Sequence, residues 1–220
     1  VSTADICATI YECLGIDPPA AKITARRTAA TGGRPVTGEA SPYYVFHPLA
    51  AERIAKDLPG AKLIVLLRDP VERASSAHRQ ETARGFETEP FERALDLEPH
   101  RLAGEIERMR SDPTYLSFSH QHHAYLARGH YAEQLSALFD LVGRERVLVL
   151  DSAAFFATPD EVWERVLGFL ELPAWRPAAF EQHNARPSSP LPEQLRRRLD
   201  DYYRPHDEQL LRDDLDLLRL

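Results

Sequence analysis

Two short runs in this chain are apolar throughout after their first residue: KLIVLL, Lys62 to Leu67, and RVLVL, Arg146 to Leu150. A strand with no polar face needs cover on both sides, the situation in a parallel sheet flanked by helices. Elsewhere the apolar positions fall at spacings of three and four, the stripe of an amphipathic helix. Leu135, Leu138, Phe139 and Val142 form one stripe between the two runs, and Trp163, Val166, Leu167 and Leu170 form another that Pro173 ends. HPLAAERIAKDLPG reads as a helix closed by Pro59 and Gly60, and PEQLRRRLDDYY as one with Pro192 near its first turn. Residues 36–46, VTGEASPYYVF, predict a short strand and a turn. Residues 3–15 predict a short helix stopped near Gly15 by Pro18 and Pro19, and residues 24–35 a polar loop. Strand, helices, strand predicts an α/β domain in which the two runs are parallel neighbours in one sheet. There is no internal repeat and no low-complexity tract.

Composition narrows the function classes. With 220 residues, 43% of them hydrophobic, the chain can bury one sizeable core. A formal charge of −7 opposes a general nucleic-acid coat, which needs net positive potential, but leaves room for a local basic cleft holding one nucleotide. Cys7 and Cys13 match neither a metal nor a redox spacing and read as idle thiols. No stretch approaches the roughly 18 apolar residues of a membrane span, and the first residues lack a basic region and a cleavage site. The expectation is a soluble, cytoplasmic protein. Lysine occurs only at Lys22, Lys56 and Lys62, so few residues can supply a catalytic ammonium.

The chemistry concentrates directly after the first run, in RDPVERASSAH. Arg68 falls at the carboxyl end of the strand, the edge where ligands bind in an open parallel sheet, and Ser76 follows eight residues later on the next helix. Asp69 and Pro70 suit the cap and first turn of that helix. An arginine, a hydroxyl and helix N-terminal amides together make a phosphate cradle. The plain alternative is that Arg68 pairs with Asp69 or Glu72 at the surface. Four histidines cluster in SHQHHAYLARGH. His120 and His123 would share a helix face, but no third ligand is spaced for a metal, and an acceptor-lining or surface helix is the simpler reading. The charged runs RRRLDD and RDDLDLL read as solvated helix faces.

LRDPVERASSAH resembles the 3′-phosphate-binding loop of sulfotransferases that use 3′-phosphoadenylyl sulfate (PAPS), especially their bacterial and heparan-sulfate-type branch. The resemblance extends over roughly residues 36–215. It implies a P-loop-NTPase-like fold, a three-layer parallel sheet flanked by helices, lacking the first strand. It also implies PAPS as co-substrate, a small-molecule or carbohydrate acceptor, and no metal. Arg68 and Ser76 then anchor the 3′-phosphate. VTGEASPYY looks like the family's strand bearing a glutamate base, so Glu39 inherits that role, with Ser41 and Tyr43 nearby. Without the resemblance Glu39 reads equally well as a structural carboxylate, and His47 and His78 are alternative bases. HNARPSSPLPEQL looks like the loop that closes over the cofactor, which carries Arg186 and Ser188 into the cofactor-binding set.

The family's lysine-bearing 5′-phosphosulfate loop has no match here. Residues 1–35 form an atypical leader that weakly resembles the tail of sulfatase-like proteins, ahead of a sulfotransferase-like α/β domain over 36–220. Two functions follow: sulfuryl transfer from PAPS to a hydroxyl or amine, or a truncated, catalytically inactive module that binds the product adenosine 3′,5′-bisphosphate (PAP). The acceptor itself is not encoded in readable form, because it depends on loops such as residues 84–118.

Overall fold

In a computed structural model, residue 38 and residues 40–180 and 190–213 are described. In chain order the elements are α1 (Ala50–Asp57), β1 (Leu63–Leu67), α2 (Pro70–Ala83), α3 (Phe91–Leu102), α4 (Glu105–Ser111), α5 (Phe118–His122), α6 (Tyr131–Val142), β2 (Val147–Asp151), α7 (Ser152–Ala157), α8 (Pro159–Phe169) and α9 (Glu193–Asp213).

β1 and β2 pair in parallel, with Leu63 opposite Val147 and Leu67 opposite Asp151. The reason both strands lack a polar face is visible in the packing. Ile64, Leu66, Leu148 and Leu150 point to one side, into a core built by Phe155 of α7 and Val162, Trp163, Val166 and Leu167 of α8. Leu63, Val65, Leu67, Val147 and Val149 point to the other, against Ile54 of α1 and Leu135, Leu138 and Val142 of α6. Successive strand residues alternate between two buried faces, so the expected three-layer α/β arrangement holds, with helices on each side of a parallel pair.

A third core lies beside the sheet. Val71 and Ala74 of α2, Ala94 and Leu95 of α3, Tyr125, and Leu195, Leu199 and Tyr203 of α9 pack together there. Within it Gly129 is forced to lack a side chain, since a Cβ would fall 2.5 Å from the ring of the fully buried Tyr203.

Three expectations need correcting or bounding. The described part of residues 36–46 is turn and not strand: Ser41 Oγ accepts from the Tyr43 amide, and the amides of Phe46 and His47 both bond to the Tyr43 carbonyl. Residues 84–118, read as loops, contain α3 and α4. Their periodicity is hidden because α3 contains Pro99 and because its buried stripe, Ala94, Leu95 and Glu98, includes a carboxylate. The leader over residues 1–35 and its expected helix lie outside the described residues.

Candidate functional site

The carboxyl end of β1 runs into Arg68, and there the chain turns into α2 as the sequence implies. The Asp69 carboxylate accepts from the Glu72 amide at 2.8 Å, capping the helix, and Pro70 occupies its first turn, where a missing N–H costs nothing. Tyr131 at the start of α6 donates its hydroxyl to the Arg68 carbonyl at 2.9 Å, tying the strand end to the neighbouring helix. The Arg68 side chain, half-buried, approaches the Glu72 carboxylate at 3.5 Å. Ser76 lies one helical turn beyond Glu72 on the same face of α2, also half-buried, so Arg68 reaches toward the face on which Ser76 stands. The plain alternative for Arg68, a surface pairing, is thus present, with Glu72 as the partner.

One residue at this edge was missed. Arg196, read as part of a solvated charged face, crosses from α9 to place Nη2 2.8 Å from Asp69, Nη1 3.3 Å from Glu72 and Nε 2.8 Å from Asp200. Within RRRLDD nothing marks Arg196 from Arg197 and Arg198. Only the docking of α9 through Leu195, Leu199 and Tyr203 turns it toward α2. Beside it lies a cleft of about 270 Å³ whose lining includes Asp69, Asp200, Asp207 and Glu208. The Asp207 carboxyl is pushed up by burial and then by the nearby Asp69. A larger cavity, about 550 Å³, lies under α8 between Trp163 and Trp175 and includes no residue of β1 or α2.

A second polar cluster joins the turn after residue 40 to α5. Tyr43 Oη and His120 Nδ1 share a hydrogen bond of 2.6 Å, Phe46 stacks on the His120 ring at 4.2 Å, and the Arg128 guanidinium lies 5.0 Å from the Tyr43 ring centre. His120 is 1% exposed while Phe118 and Gln121 of the same short helix face solvent, so α5 is a surface helix that turns one histidine inward. Burial first, then the charge of Arg128, lowers His120 to about 4, while burial raises Tyr43 to about 12. Both stay neutral near pH 7. His120 Nε2 and Arg128 Nε are buried polar atoms without a hydrogen-bond partner. His123 bonds through Nε2 to the Phe86 carbonyl and His122 through Nδ1 to Glu81, so the three imidazoles are dispersed among different partners.

The alternative bases have structural roles: His47 Nδ1 accepts from the Leu49 amide, and His78 Nε2 contacts the Glu89 carbonyl. Glu39, Arg186 and Ser188 lie outside the described residues. Of the lysines, Lys62 stands at the opposite, amino end of β1, bonded to the Phe169 carbonyl and Glu171, both at 2.7 Å. Lys56 sits in the last turn of α1, which leads into that same end, and Lys22 is outside the described residues. Among the described residues no helix is long and apolar enough to cross a membrane.

No family model matches the chain. A crystal structure of a sulfotransferase from Alicyclobacillus acidocaldarius superposes with a TM-score of 0.60 at 31% identity, over 79% of this chain and 62% of that one. A curated protein of Dictyostelium discoideum, the membrane-associated sulfotransferase kil1, is 54% identical over 41 residues, which are 19% of this chain and 9% of that protein. The chain therefore spans less than two thirds of the length of either relative.

Proposed function

We propose, from the premise that this chain belongs to the sulfotransferase family, that it transfers a sulfuryl group from PAPS to a hydroxyl or amine acceptor, with carbohydrates among the candidates. The observation that carries this reading is the β1 edge: an apolar parallel strand ends in Arg68, and an Asp69-capped helix then presents Ser76 on the face toward which Arg68 reaches. That is a phosphate anchor built of a guanidinium, a hydroxyl and a helix start.

Magnitudes favour a ligand over the resting pair. A half-exposed ion pair such as Arg68 with Glu72 contributes about 0–1 kcal/mol, whereas a hydrogen bond to a charged group is worth about 1.5–3 kcal/mol. A 3′-phosphate dianion entering the edge competes with Glu72 for the Arg68 guanidinium. Arg196 holds the carboxylates of Asp69 and Glu72 and offsets their repulsion toward the incoming phosphate. In this scheme Arg68 and Ser76 select PAPS over nucleotides without a 3′-phosphate, Glu39 takes the acceptor proton, and Arg186 and Ser188 close over the cofactor. Sulfuryl transfer also needs cationic donors where charge develops on the leaving bisphosphate.

The second reading, a PAP-binding module without transferase activity, rests on the placement of Lys62 at the far end of β1. Calorimetric titration with PAP, followed by single-turnover transfer from labelled PAPS, separates the two. Binding with transfer supports the enzyme, binding without transfer supports the module, and no binding removes both.

A further inference from the structure

We infer that His130, Glu133 and His206 form a binding site for a divalent metal ion of the zinc class, which clamps α9 to the start of α6. The three side chains each present a ligand atom, and these atoms all lie within 4.8 Å of one another. They come from two separate elements. His130 is the residue immediately before α6 and Glu133 lies in its first turn, three positions on and hence on the same face. His206 reaches them from α9, its Nδ1 3.7 Å from Glu133 Oε1, too long for a hydrogen bond. Its ring lies flat on that of His130, with centroids 3.9 Å apart and planes 11° from parallel. Tyr202, one turn earlier on α9, bonds to His130 Nε2 at 2.9 Å and fixes the orientation of that ring.

Two imidazoles and one carboxylate make a donor set that zinc accepts, with a fourth position for water. Nitrogen donors favour zinc, cobalt or nickel over calcium or magnesium, which prefer oxygen alone. Donors about 2.1 Å from a tetrahedral ion stand roughly 3.4 Å apart, so the atoms, now within 4.8 Å of one another, have to close by up to about 1.4 Å. The stacked rings must tilt apart so that one ion lies in both imidazole planes, with His130 coordinating through Nδ1 while its Nε2 keeps Tyr202; Glu133 is exposed and both histidines are half-buried, so these rotations disturb no core. The clamp would act on the helix that carries Tyr203 into the third core and Arg196 to Asp69 and Glu72. Metal binding would thereby order α9 against the β1 edge. None of this depends on sulfuryl transfer.

The test uses the full chain after chelator treatment, in a background with Cys7→Ser and Cys13→Ser to remove competing thiolates. Zinc chloride is titrated by calorimetry, and cobalt chloride is titrated in parallel with visible absorption as the readout. One equivalent of zinc, cobalt bands of a four-coordinate ion, and a higher melting temperature with zinc are expected. His206→Gln and Glu133→Gln, whose folding is checked by circular dichroism, should each weaken zinc binding at least tenfold and abolish the cobalt bands. Zinc binding unchanged in these variants would place the ion elsewhere and overturn the assignment. Failure of the parent protein to bind zinc at millimolar concentration would overturn it equally.

Discussion

At the scale of single residues, charge and burial separate anchors from supports. Arg68 faces Glu72 across 3.5 Å at the carboxyl end of β1, in a half-exposed setting. Arg68→Ala should weaken PAP binding by about 1.5–3 kcal/mol, and Ser76→Ala by less, since it removes a hydroxyl and no charge. Equal affinities for parent and Arg68→Ala in calorimetry would refute the anchor. His120 makes a different kind of prediction. Its folded value near 4 lies below the ordinary 6.5, because burial penalises the imidazolium. Between those values the unfolded chain binds a proton that the folded chain does not, so the contribution is complete above about pH 6.5 and is lost as pH falls toward 4. The full difference is on the order of 3 kcal/mol. His120→Gln should therefore flatten the loss of stability between pH 6.5 and 4.5 in urea unfolding. A slope identical to the parent's would show that His120 does not titrate in this way.

At the scale of elements, Glu98 illustrates how a buried charge joins two segments. From α3 its carboxylate accepts from the backbone amides of Tyr125, Leu126 and Ala127 at 2.8, 2.6 and 2.8 Å. Burial raises this carboxyl, and the three amides oppose the rise. The same short segment receives the Tyr203 hydroxyl at the Leu126 carbonyl, 3.0 Å away, and the Arg73 guanidinium at the Tyr125 carbonyl. Removing the acceptor leaves buried donors without partners. Glu98→Ala should cost about 3 kcal/mol or more, and Glu98→Gln, which keeps one acceptor oxygen, distinctly less. Chemical denaturation of the two variants checks the order. A reversed order would mean that the amides find other partners when the carboxylate is gone.

At the scale of the whole molecule, the sheet separates the candidate anchor from the described lysines. Arg68 leaves β1 at its carboxyl end, while Lys62 enters it at the amino end and is held by Phe169 and Glu171. Lys56 and Lys62 both lie toward the amino end of β1, away from the edge proposed to hold the nucleotide. Lys56→Ala and Lys62→Ala should leave single-turnover transfer unchanged. The loss of one donor to the leaving group commonly costs about 100- to 1000-fold in rate. A loss of that size in either variant would place its lysine at the leaving group.

What the sequence determined by itself was whatever depends on near neighbours along the chain. The apolar runs of β1 and β2, the stripes of α6 and α8, and the Asp69-Pro70 helix start are each set by local pattern, and the parallel pairing follows from connecting two such runs through helices. The order Arg68 to Ser76 at a strand's carboxyl edge was legible for the same reason. Tertiary structure alone decided which polar groups have remote partners. α3 was hidden because its stripe includes Glu98, a residue that looks solvent-facing until three amides from another segment meet it. The segment of His120 reads as an acceptor-lining or surface helix, and only the packing of Tyr43 and Phe46 shows that this one ring is covered. Arg196, and the meeting of His206 with His130 and Glu133, exist only because α9 packs back across α2 and α6. Hydrophobic periodicity reports which face of an element is buried. It carries no information about which distant element does the burying, and so none about the charges and ligands that element brings with it.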